Sequence, residues 1–294
     1  MSLADKFRDI GRLLIAAGEA WVDDRASSMG AALAYYTLFS LAPLLLIAVS
    51  VAGLVFGEEA ARGELYDQLV GLVGSSSART VQDMLQSLNV PQKGIISTLI
   101  GLAVMAVGAT TVFAELRSSI DHIWRTPTAS SSSGLFSWLR VRLLSLGLVL
   151  GIGFLLMVSL VVSAALSALS RWAAPWFGHD LLFAASALNL VVSLLFVMAL
   201  FAMLYKWLSR VHLAWRDVWI GAAATAVLFT VGKWLIGLYI GRSGVTSVFG
   251  AAASLVVLML WVYFSAQIFL FGAEITSVYA HRHGSLRDQP APPE

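Results

Sequence analysis

Residues 33–44 read LAYYTLFSLAPL and stand at the head of the first long apolar run of the chain. Tyr35, Tyr36, Thr37, Ser40 and Pro43 occupy positions where a segment built only to cross lipid carries Leu, Ile or Val. Lipid offers no hydrogen-bond partners, so each polar group at that depth needs protein or water beside it. A second run, Leu260–Thr276 (LWVYFSAQIFLFGAEIT), repeats the habit with Tyr263, Gln267 and Glu274. These interruptions define a membrane protein with a built interior, and constrain the fold more than any other feature.

Hydrophobic residues make up 59% of the chain and charged residues 12%, whereas a soluble domain carries roughly 25% charged residues. A water-facing surface cannot be assembled from that inventory. The net charge of +2 is too small to argue for nucleic acid as a partner. The absence of Cys excludes disulfides, thiolate metal sites and Cys nucleophiles. The N-terminal MSLADKFRDIGRLL mixes charges of both signs without a separate apolar core and small-residue cleavage site, so no cleavable signal peptide is expected.

The pattern predicts an all-α, polytopic membrane protein: six transmembrane helices in one bundle, plus amphipathic interfacial helices. A hydrocarbon core of about 30 Å takes ~20 helical residues, and segments of that length fall near 31–56, 94–114, 141–169, 181–207, 216–240 and 247–279. Arg171–Asp180 (RWAAPWFGHD) and Lys206–Asp217 (KWLSRVHLAWRD) separate spans 3 to 5 with interfacial Trp and turn chemistry. One side then collects thirteen Lys and Arg residues (Lys6, Arg8, Arg12 and Arg25 through to Arg282 and Arg287). The other has five: Arg62, Arg79, Lys93, Arg171 and Arg242. This asymmetry places both termini in the cytoplasm.

Residues 1–30 are expected to form a cytoplasmic amphipathic N-terminal helix, because Leu3, Phe7, Ile10, Leu14 and Trp21 share one face. Residues 31–279 form the six-helix domain. Within it, 57–93 is read as a long outer-side amphipathic loop with two apolar patterns: Leu65, Leu69, Leu72, and Val81, Met84, Leu85, Leu88. A loop of that length is more often functional than idle. Residues 280–294, ending in DQPAPPE, are expected to be a flexible cytoplasmic tail.

With that topology Tyr35–Pro43 and Tyr263–Glu274 share the cytoplasmic half, and Glu115 at the inner end of span 2 joins their level. Tyr263, Gln267 and Glu274 recur at i, i+4 and i+11 and so lie on one helix face. Two readings fit: a polar cavity or gate open to the cytoplasm, or interfacial carboxylates at Glu115 and Glu274 paired with a nearby Arg such as Arg25 or Arg117. Toward the outer side, Lys233 and Asn189 reach a similar depth, about 10 Å in at 1.5 Å per residue for Lys233. They fit either a headgroup contact or a snorkelling Lys beside a helix–helix amide. Small residues such as Gly221, Thr225 and Gly232 sit at close-packing spacing.

No catalytic pattern is present. The five histidines lie in loops or at span ends without a metal-ligand spacing, and neither a Gly-x-Ser-x-Gly elbow nor a P-loop occurs. No cofactor or metal is therefore expected, and no enzyme activity.

The two motif runs carry a resemblance. LAYYTLFSLAPLLL at Leu33–Leu46 with VAGLVFG at Val51–Gly57, and LWVYFSAQIFLFGAEIT at Leu260–Thr276, resemble the YihY/BrkB family of bacterial inner-membrane proteins. FAELRSSIDHIW at Phe113–Trp124 is similar to the family segment after the second span, with Asp121 where Asn is expected. The resemblance implies a six-span envelope protein. The ribonuclease label once attached to the family finds no nuclease site in these residues. The leading functional expectation is a transporter or flippase-like protein for a lipid or other amphiphile. The alternative is a non-transporting scaffold that docks an envelope partner through residues 57–93. Membrane lipids are the expected partners, nucleic acid is not, and homo-oligomerisation stays open.

Overall fold

The computed structural model describes residues 3–88, 111–126, 188, 190–211, 213–242, 249 and 252–287. The described elements are helical. In chain order they are α1 (Leu3–Asp23), α2 (Ala26–Phe56), α3 (Glu58–Leu88), α4 (residues 111–123), α5 (Leu190–Leu208), α6 (Trp215–Arg242) and α7 (Ala253–His283). Most of the predicted span 94–114, all of 141–169 and the start of 181–207, Asn189 included, lie outside the described residues. Three described helices are long and apolar enough to cross a bilayer: Leu190–Leu208, Trp215–Ile240 and Ala253–His283.

The longest helices run to 31 residues, about 46 Å at 1.5 Å per residue. Their interior hydroxyls bond back to the preceding turn, Ser40 Oγ to Tyr36 O at 2.7 Å and Thr276 Oγ1 to Gly272 O at 2.8 Å. Such back-bonding satisfies a hydroxyl inside an apolar helix without water. Pro43 lies within α2, which is helical on both sides of it.

The main core forms where α5, α6 and the C-terminal half of α7 converge with α4 and the start of α2. Leu33, Ile120, Tyr205, Val218 and Leu270 are among its buried residues. Small residues allow the α6–α7 approach. A Cβ at Gly221 would strike the Thr276 side chain, one at Gly232 would strike Ile268, and one at Gly272 would strike Thr225 and the Tyr205 hydroxyl. The small-residue stripe of α6 is thus a packing face.

Residues 58–88 differ from the loop expected there. They form two helical arms broken at Gly74, whose φ of 81° and ψ of 163° suit a residue without Cβ. The arms are helical because their two apolar patterns have a surface to cover. Val73 and Val81 bury against Leu258, with Leu38, Leu41 and Trp261 around them. Ser77 Oγ donates to Ser254 O at 3.2 Å, and Thr80 Oγ1 to Ser254 Oγ at 2.9 Å. α3 therefore grips the N-terminal end of α7.

The opposite end of α7 is held by α1, where His283 Nε2 lies 3.6 Å from Asp9 Oδ2. α1 keeps Ile10, Leu14, Ile15 and Val22 exposed, the apolar side that an interfacial helix presents to lipid. Residues 280–287, expected to begin a flexible tail, are folded instead. α7 continues to His283, and the following turn packs down, with Leu286 buried and Ser285 N donating to Asp217 Oδ2 at 2.7 Å. Gly284 is needed there because a Cβ would come within 2.6 Å of the Asp217 carboxyl.

Candidate functional site

α2 and α7 pack side by side, and the polar positions of α7 meet the N-terminal end of α2. Gln267 lies over Gly30, where a Cβ would collide with its side-chain amide. Its Nε2 donates to Ser27 O at 3.4 Å, while its Oε1 is buried with no hydrogen-bond partner among the described residues. Seven residues on, about 10 Å along the helix, Glu274 is 1% exposed. Its carboxyl lies within hydrogen-bond reach of the Asp24 carboxyl, and no donor among the described residues reaches its Oε1.

Asp24 sits in the two-residue break between α1 and α2. The break is made by Arg25, which adopts the left-handed conformation at φ 51°, ψ 41° and caps α2 without a side-chain bond. A non-glycine residue there costs roughly 1–2 kcal/mol, so the corner is held by its surroundings. On its other side Asp24 Oδ1 faces Arg125 Nη2 at 3.3 Å and His122 Nε2 at 3.8 Å. Arg125 is itself left-handed, at φ 47°. It closes α4 with bonds from Arg125 N to His122 O and Thr126 N to Asp121 O, the pattern normally completed by Gly.

The end of α4 thus gathers the site. Trp124 Nε1 donates to Ala273 O at 3.2 Å, next to Glu274. Asp121 Oδ2 pairs with Arg210 Nε at 3.1 Å. Burial pushes the Asp121 carboxyl above its usual range, and the Arg210 and Arg117 guanidiniums pull it back. On the far side of α7, Tyr205 donates to Phe269 O at 2.8 Å and lies 2.9 Å from Thr225 Oγ1. Its ring stacks on Phe269 at 5.2 Å. This bracing fixes the stretch of α7 that carries Glu274.

The residues singled out from the sequence divide accordingly. Gln267 and Glu274 come together with the α2 corner. Ser40 is buried on α2, bonded to its own helix. Tyr35 is 53% exposed and forms a ring cluster with Tyr36 and Phe39 on the outside of α2. Tyr263 is half-buried, edge-on to Phe264 at 5.4 Å. Glu115 is half-buried on α4. Lys233 lies far from this group, with Nζ 5.8 Å from the Phe229 ring, and Asn189 and the Pro43 side chain are outside what is described. Among the described residues the cation that answers the Glu274 site is Arg125, through Asp24, a part for which the sequence offered Arg25 or Arg117. Asp24 and Arg125 were not singled out. The charged WVDDR break between two helical patterns was the only signal, and it does not say which Asp turns inward.

Three helices able to span a bilayer, one of them carrying a buried carboxyl, define an all-α membrane protein. The family model for virulence factor BrkB matches residues 17–294, and the chain belongs to that family. It is similar to a UPF0761 membrane protein of Pseudomonas aeruginosa, 30% identical over 86% of this chain and 59% of the relative. A UPF0761 membrane protein of Azotobacter vinelandii is 30% identical over 87% of this chain and 60% of its own length. One of Tolumonas auensis is 28% identical over 86% and 80%. The chain thus spans about 60% of the length of the first relatives it matches. No solved structure matches it.

Proposed function

We propose that the protein is a transporter or flippase-like carrier for a lipid or other amphiphile of the bacterial envelope. In this reading it sits in the inner membrane with six spans and both termini cytoplasmic, and it is not an enzyme. The observation that carries it is the α2–α7 seam. Gln267 and Glu274 each keep a buried oxygen without a donor among the described residues, on one face of a candidate span. Buried acceptors left without donors cost about 1–3 kcal/mol each, a penalty that a passing polar headgroup offsets. Beside the seam, Tyr35 and Phe39 are exposed on α2, a surface along which acyl chains can stay in lipid while the head enters.

The test is photocrosslinking with Tyr263 replaced by benzoylphenylalanine, in vesicles of phosphatidylethanolamine and phosphatidylglycerol. The expected adduct carries the lipid headgroup region. Adducts at acyl chains alone, as from the same probe at the exposed Trp234, argue against headgroup entry.

A second reading, a scaffold for an envelope assembly, draws on α3. Its arms pack their apolar sides inward and leave Glu58, Glu59, Asp67 and Gln68 exposed on the outer surface. A partner trapped by crosslinkers on those residues, with lipid movement absent, favours it.

A further inference from the structure

We propose that Asp24 and Glu274 form a proton-binding site that seats the α1–α2 corner on α7 while one proton is shared between the two carboxyls. The geometry sets the requirement. An ionised carboxylate only accepts hydrogen bonds, so two carboxyls in hydrogen-bond reach bond to each other only when one of them carries a proton. Glu274 is almost fully buried, and its Oε1 has no donor among the described residues. Two charges so placed repel strongly in a medium of low dielectric constant. Among the described residues, His, Asp and Glu do not gather there in a group able to hold a metal ion.

The groups facing the pair complete the site. From α4 come Arg125, 3.3 Å from Asp24 Oδ1, and His122, 3.8 Å from the same oxygen. From the corner itself come the exposed Asp23 and Arg25. Proton loss takes the pair from one negative charge to two, with Arg125 the fixed countercharge. The proton leaves by the Asp24 side, where the His122 imidazole is 62% exposed and connects to water. The doubly charged pair then pushes the corner off α7. Against that push stand the 3.4 Å bond from Gln267 to Ser27 O and the burial of Ala26 and Leu33 in the main core, while Arg25 is in a strained conformation. The inference rests on the proposed function only for what the motion serves.

The test reads proton and motion without any transported substrate. Infrared titration of the protein in phospholipid nanodiscs is expected to show one protonated-carboxyl band that bleaches as pH rises. The band is absent from Glu274→Gln, moves in frequency and midpoint in Asp24→Asn, which replaces the second carboxyl, and bleaches at higher pH in Arg125→Ala, which removes the countercharge. Spin labels on Glu19→Cys and Arg287→Cys, in a chain without Cys of its own, are expected to gain a longer distance with the same midpoint. In Glu274→Gln, where the amide donates permanently to Asp24, they keep a single short distance at every pH. A band that survives both substitutions unchanged belongs to Asp121 and overturns the proposal, as do wild-type distances that ignore pH. Failure of lipid transport with these readouts intact removes the proposed function and leaves the proton site standing.

Discussion

The indole of Trp124 donates to the carbonyl oxygen of Ala273 at 3.2 Å, so the end of α4 is pinned to α7 one residue before Glu274. Trp124 is buried, and its ring also meets Tyr205 edge-on at 6.2 Å. Trp124→Phe keeps most of the ring and loses the bond, with an expected loss of about 1 kcal/mol. Trp124→Ala opens a cavity and is expected to lose about 3–5 kcal/mol. Thermal unfolding in nanodiscs should rank wild type, Phe and Ala in that order.

Gly272 faces the Tyr205 and Thr225 hydroxyls with no room for a methyl group. Gly272→Ala forces these helices apart or a rotamer off its well, at an expected 1–3 kcal/mol. Gly71, exposed on α3 with open space at its Cβ position, is the control. Gly71→Ala is expected to leave the melting temperature unchanged or slightly raised.

Asp217, 2% exposed, accepts the Ser285 backbone N–H. Asp217→Ala removes that acceptor and frees the turn that buries Leu286. Trypsin is then expected to cut after Arg282 or Arg287 several-fold faster, with the bundle's helical circular dichroism unchanged. Equal cutting rates would place the anchor elsewhere.

Asp121 gives a pH dependence with a definite sign. Its carboxyl is raised above the ordinary 3.8, first by burial and despite Arg210. The folded state therefore binds this proton more readily than the unfolded chain, and stability falls as pH rises from 3.8 through the folded value. Asp121→Asn keeps the shape without the charge. It is expected to melt higher than wild type at neutral pH, with the gap narrowing on acidification. A gap that widens in acid would reverse the sign.

Helix content was legible because long apolar runs with few charges leave the backbone no alternative in lipid. The spacing of Gln267 and Glu274 put both on one face, and the face does meet α2. What the sequence could not disclose was the partner. Asp23 and Asp24 are adjacent and alike, and only the left-handed Arg25 decides that Asp24 turns inward. The α3 arms were harder still. Leu65, Leu69, Val81 and Leu85 show helical spacing, but their helicity depends on docking against Leu258 and Trp261, contacts more than 170 residues away in the chain. Arg125 stands where a helix ordinarily ends on Gly, a local oddity explained only by the distant Asp24.

In the proposed function the α2–α7 seam carries an amphiphile past Glu274. The most direct measurement is movement of a labelled phospholipid between leaflets of vesicles reconstituted with wild-type protein, Glu274→Ala and Trp219→Ala. Trp219 is exposed on α6 and serves as control. Transfer is expected from wild type and Trp219→Ala, and transfer at least tenfold slower from Glu274→Ala, which corresponds to about 1.4 kcal/mol in the barrier. Transfer by a folded Glu274→Ala at the wild-type rate, or no transfer by the wild type, would contradict that function.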